Sequence, residues 1–92
     1  MADAEHLAIL AKGTETWNSW RARVGAETAP NLYSATLTDL DLTNVDFRNV
    51  VLSNAILQNV KLSGAMLMNA DLARSLIENC EMSGADLSGA TQ

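Results

Sequence analysis

The sequence predicts an all-β solenoid preceded by a short helical stretch. Two observations carry the solenoid. From Pro30 onward a large apolar residue recurs at every fifth position without a skip: Leu32, Leu37, Leu42, Phe47, Leu52, Leu57, Leu62, Leu67, Leu72, Ile77, Met82 and Leu87. Two positions after each of these stands a residue that is mostly asparagine or glycine. A period of five fits neither the 3.6 of a helix nor the 2.0 of a strand. The chain must therefore turn a corner every five residues, so that each large side chain points into one shared interior. The third observation concerns the leading residues, whose apolar side chains recur at helical spacing.

Residues 1–29 read as a helical cap and linker. Leu7, Leu10, Trp17, Trp20 and Val24 fall at three- and four-residue spacings or their multiples, which puts them on one helical face. Gly13 weakens a helix by about 1 kcal/mol relative to alanine, and Thr14 is suited to cap a second segment. One kinked helix or two short ones are expected, ending near Gly25. Pro30 stops any helix and pushes Ala29 toward an extended conformation.

Residues 30–92 form the repeat. Taking each large apolar residue as a centre, the positions two before it are mostly small or β-branched, as in Ala35, Val45, Ala55, Val60, Ala70, Cys80 and Ala85. These suit a second inward position beside a corner. The positions two after it run Ser34, Asp39, Asn44, Asn49, Asn54, Asn59, Gly64, Asn69, Arg74, Asn79, Gly84 and Gly89. Asparagine and glycine dominate because they best tolerate the backbone angles of a corner. The two positions flanking the centre are mainly polar and are expected to point outward.

Ala70-Asp71-Leu72 and Ala85-Asp86-Leu87-Ser88-Gly89 resemble the signature Ala-Asp/Asn-Leu-x-x of the pentapeptide-repeat family, and Ala35-Thr36-Leu37 and Ala55-Ile56-Leu57 match it more loosely. The resemblance covers about two thirds of the chain. It implies a right-handed quadrilateral β-helix with four pentapeptides per square coil, hence about three coils here. The stretch from Gly13 to Arg21 also resembles the helical cap found ahead of some such repeats.

With twenty residues per coil and strands about 4.8 Å apart, residues twenty apart stack in vertical lines. Asp41, Lys61 and Glu81 share one line, worth at most about 1 kcal/mol as a solvated ladder. Thr36, Ile56 and Leu76 share another, and Val51 lies on the preceding face. Val51, Ile56 and Leu76 are thus a candidate partner-binding patch, weighed against the ordinary scatter of apolar residues over any surface and against burial beneath the helical segment. Met66 and Met68 lie two faces away from Ile56. At the ends, Trp17 and Trp20 are expected to cover the first coil. Leu72, Ile77, Met82 and Leu87 are expected to stand at a bare coil end. Terminal repeats need a polar cover, so a homodimer or other end-to-end association through this coil is expected, or a continuation of the chain.

At 92 residues the chain is at most one small domain. Its net charge of -5 disfavours direct nucleic-acid binding, which needs a basic face. Cys80 is the only cysteine, so no intramolecular disulfide is possible. The N-terminus lacks the pattern of a signal peptide, and no apolar run approaches the ~20 residues of a membrane span, so a cytoplasmic, reducing location is expected and no membrane partner. His6 is the only histidine. It cannot make a metal site alone and is expected at the surface. Cys80 is expected to be a buried small apolar residue. Asp39, Asp41, Asp46, Asp71, Glu78, Glu81 and Asp86 are expected to be solvated on a convex column, where nothing dries them into catalytic pairs.

No catalytic, cofactor-binding or metal-binding set is therefore expected. The leading reading is a non-enzymatic scaffold or protein–protein interaction module. The family resemblance supplies an alternative, an acidic DNA mimic that binds DNA gyrase or another DNA-binding protein. Magnitudes weaken it: duplex DNA carries one charge per ~1.7 Å, roughly nine over a 15 Å column. The repeat offers seven acidic residues offset by Arg48, Lys61 and Arg74.

Overall fold

The computed structural model describes residues 1–25 and 27–92. Its elements are α1 (Ala4–Ala11), α2 (Thr14–Val24), β1 (Thr36–Thr38), β2 (Ile56–Gln58) and β3 (Leu76–Glu78). The strands form one parallel sheet in the order β1-β2-β3. Their register pairs Thr36 with Ile56 and Leu76, and Leu37 with Leu57 and Ile77. Single bridges continue the same twenty-residue return elsewhere: Asn31–Val51–Asp71–Thr91, Asp41–Lys61–Glu81 and Asp46–Met66–Asp86. The repeat is therefore a parallel β-solenoid with four bridging positions in each twenty-residue return.

The corners follow from the sequence. Every residue two after a centre, from Ser34 to Gly89, has φ between 54° and 73°. This left-handed region is disfavoured for side chains other than glycine, asparagine and aspartate, which accounts for the composition there. Arg74 and Ser34 adopt it too, so the repeat geometry overrides the local preference of those residues. Between corners, Asn31, Asp41, Asp46, Asp71 and Asp86 each accept a hydrogen bond from the N–H two residues ahead. That local bond satisfies a donor which faces no neighbouring coil.

The core runs up the middle of the stack. Leu32, Leu42, Phe47, Leu52, Leu57, Leu62 and Leu67 are all buried, with Val45, Ala55, Val60, Ala65 and Ala70 beside them. Both inward positions of the repeat thus point where the periodicity placed them. The third coil departs from this: Ile77 is exposed, and Met82, Leu87 and Cys80 are half-buried. Cys80 is less enclosed than expected because no coil lies over it among the described residues. Its Sγ lies 3.5 Å from the carbonyl oxygens of Leu57 and Glu78.

Two helices form rather than one kinked helix. Gly13 adopts φ 108°, outside the range of other residues, and breaks the chain between them. Asp3 caps α1, accepting from the N–H groups of Glu5 and His6. Thr14 does not cap α2; that position is Gly13, and no side chain bonds there. Val24 is exposed rather than part of the packed face, since α2 ends there at Gly25.

Candidate functional site

The helices meet the solenoid through hydrogen bonds to the outer edge of its first coil. Thr14, Trp17, Asn18 and Arg21 stand at positions i, i+3, i+4 and i+7, so they line one face of α2. Thr14 Oγ1 donates to the Asp41 carbonyl at 3.2 Å, and Trp17 Nε1 donates to the Asp46 carbonyl at 2.8 Å. Asn18 uses both ends of its amide: Nδ2 donates to the Asn44 carbonyl at 3.0 Å, and Oδ1 accepts from the Asp46 N–H at 2.8 Å. Arg21 donates to the Arg48 carbonyl at 2.7 Å. On another side the Asp3 N–H donates to the Asn31 carbonyl at 2.9 Å, and the Asn31 N–H donates to His6 Nδ1 at 2.9 Å. These bonds satisfy edge groups of the first coil that the parallel ladder leaves over.

Trp17 is fully buried and Trp20 is half-buried. The Trp17 ring meets Phe47 edge-on at 5.5 Å and lies tilted against Trp20 at 5.1 Å. His6 packs on Trp20 at 5.1 Å. It is a half-buried acceptor in the contact with the first coil, not the free surface histidine expected from its isolation in sequence.

Asp46 is the other correction. The expected solvated carboxylate is buried beneath α2. It accepts from Arg48 Nε at 2.8 Å and Nη2 at 2.7 Å. Those bonds hold its carboxyl below the usual carboxylate range against the opposing effect of burial, and they push the Arg48 guanidinium up. Burial lowers Arg21, with Asp46 opposing it. Asp41 and Asp86 are exposed as expected. Hydrogen bonds from Thr43 and Ser88, respectively, lower both. Asp41, Lys61 and Glu81 do stack in register. However, the ion pairs among the described residues are Asp3–His6 and Asp46–Arg48, so Lys61 acts on Asp41 only as a more distant, weakly favourable charge.

The apolar candidates divide by level. Ile56 is 36% exposed and Leu76 47%, adjacent on the β2–β3 ladder, while Val51 on the neighbouring side is half-buried. Ile77 is 38% exposed. Leu72 is buried rather than bare, because it still lies within the stack: its N–H donates to the Thr91 carbonyl at 2.8 Å. Leu72, Leu76, Ile77, Met82 and Leu87 line an open cavity of 450 Å³. Among the described residues no group of three or more His, Cys, Asp or Glu is placed to hold a metal ion. No helix of the described residues is long and apolar enough to cross a membrane.

The docking residues of α1 and α2 were only partly legible. Tryptophan spacing located Trp17 and Trp20. Thr14, Asn18 and Arg21 share their helical face with Trp17, and that shared face was the signal for them.

Parallel returns every twenty residues, leucine-filled centres and left-handed corners at each fifth residue define a β-solenoid repeat protein. The family model for pentapeptide repeats matches eight copies over residues 31–67 and 65–91. The chain belongs to the pentapeptide-repeat family. No curated protein matches it significantly.

Proposed function

We propose that this chain is a non-enzymatic interaction scaffold: a right-handed, four-sided β-helix of about three coils over residues 30–92, with residues 1–29 as its N-terminal cap and linker. Four bridging positions per twenty residues support the square cross-section, and the bonds from α2 to the Asp41–Arg48 edge support the cap. Trp17 and Trp20 serve that cap rather than a ligand.

The observation that carries the interaction reading is the contiguous exposure of Ile56, Leu76 and Ile77. Ile56 and Leu76 lie on the outer face with Val51 beside them. Ile77 carries the apolar surface over the rim onto the end formed with Leu72, Met82 and Leu87. A patch that turns from a side onto an end suits a protein partner, and end-to-end pairing of two copies would cover the apolar surface around Ile77, Met82 and Leu87. Light scattering across a concentration series tests the pairing. The expected result is a dimer that Ile77→Asp converts to a monomer with its β-rich circular dichroism intact. A monomer at every concentration refutes pairing through this end.

The DNA-mimic alternative is the weaker reading. Lys61 separates the two carboxylates of its line, and Asp46 is buried against Arg48. The exposed charge is therefore neither uniform in sign nor evenly spaced.

A further inference from the structure

The first coil has four bridging sides, and the helical region bonds to three of them. In this ladder the residue that bridges on each side turns its own N–H and C=O away from the next coil, because that coil is bonded through the flanking residues. The Val51 N–H donates to the Pro30 carbonyl and the Leu32 N–H to the Val51 carbonyl, so the main chain of Asn31 faces the other way. Asp3 and His6 bond to it there. Asp41 and Asp46 face the same direction and meet Thr14, Trp17 and Asn18.

The remaining side is β1. The Ile56 N–H donates to the Ala35 carbonyl, and the Asp39 N–H donates to the Gln58 carbonyl. The parallel pairing of Thr36 with Ile56 and of Thr38 with Gln58 then leaves the N–H and C=O of both threonines on the outer edge. Among the described residues no group hydrogen-bonds to them. Beside that edge runs an apolar cleft. One part, of 650 Å³, is lined by Ala4, Leu7, Tyr33 and Thr36. A second, of 220 Å³, is lined by Leu7, Leu10, Leu37 and Leu40. The two meet at Leu7 and Thr36.

We propose that the outer edge of β1 is a strand-addition site for an extended peptide segment of another protein, neutral to basic in charge, with alternate apolar side chains seated against α1. Two donors and two acceptors alternating at two-residue spacing match an extended main chain and nothing else as well. A helix has already satisfied its own main chain. Charge sets the sign of the partner. The exposed Asp39 directly follows the strand, and the chain carries -5 overall, so basic flanks are favoured and acidic ones repelled. The site lies at the opposite end of the sheet from Ile77 and is independent of the pairing proposed above.

The test is a titration of the full ¹⁵N-labelled chain with a heptapeptide of alternating threonine and valine with a lysine at each end. The amide signals of Thr36 and Thr38 should shift and their solvent exchange should slow. The same peptide N-methylated at alternate positions should bind at least tenfold more weakly, as should the Thr38→Pro variant, whose lost N–H has no partner within the chain. Thr38→Val, which keeps that N–H, should bind like the parent, and Ile77→Asp should leave binding unchanged. Three results would overturn the proposal: no shift up to millimolar peptide, shifts at Ile77 and Asn79 in place of the threonines, or equal binding of the N-methylated peptide. A self-association that Thr38→Pro abolishes would assign the edge to a second copy and overturn it equally.

Discussion

Replacing Leu57 with alanine, and in a separate variant its neighbour Ile56, compares an inward and an outward side chain on one strand. Leu57 is 1% exposed at the middle level of the stack, between Leu37 and Ile77, whereas Ile56 is 36% exposed. Truncating an enclosed leucine loses its transfer free energy and leaves a cavity that a rigid coil cannot close, about 3 kcal/mol within the usual 2–5. For a domain of this size that lowers Tm by roughly 12–24 °C. Truncating Ile56 removes atoms already partly in water and some strand preference, at a cost of about 1 kcal/mol or less. Circular dichroism during urea and thermal unfolding reads both. Similar losses for the two variants, or a larger one for Ile56, would refute the assignment of centres to the interior and with it the register of the whole repeat.

Two further outcomes bear on the helix contact. Asn18→Leu deprives the Asp46 N–H and the Asn44 carbonyl of their partners, at about 2 kcal/mol in total. Hydrogen exchange at the Asp46 amide should accelerate roughly thirtyfold, and an unchanged rate would mean that α2 does not hold that edge in solution. Asp46 has its carboxyl pKa depressed in the folded state, so its stabilising effect is complete above the unfolded carboxylate value of about 3.9 and is lost as pH falls through the lower folded value. Guanidinium unfolding midpoints of the parent should therefore drop below about pH 4 more steeply than those of Asp46→Asn, and parallel acid limbs would contradict the Asp46–Arg48 pairing.

The periodicity alone located the inward leucines, the second inward positions and the corners. Each of these is a local demand repeated at a fixed interval: a side chain to bury, a residue small enough to sit beside a turn, a backbone angle that asparagine and glycine tolerate. The coil of twenty residues, implied by the family resemblance and not by the period itself, then put Thr36, Ile56 and Leu76 in line, and the sheet register agrees. Polarity by itself misled at Asp46 and His6, because whether a polar residue is solvated depends on what lies over it. Asp46 occupies an outward position of the repeat, but α2 packs there and Arg48 supplies its partner. His6 has no notable neighbour in sequence, yet it accepts from Asn31.

The sequence by itself determined that this chain winds as a solenoid around a leucine core, since a strict period of five leaves no other way to bury those side chains. Only the tertiary structure decided how the helices seat on the first coil, which carboxylate is buried and which strand edge stays open. Those outcomes depend on hydrogen-bond partners some 25–29 residues apart in sequence, contacts that no local pattern encodes and that exist only once the coil edge and the helix are brought together.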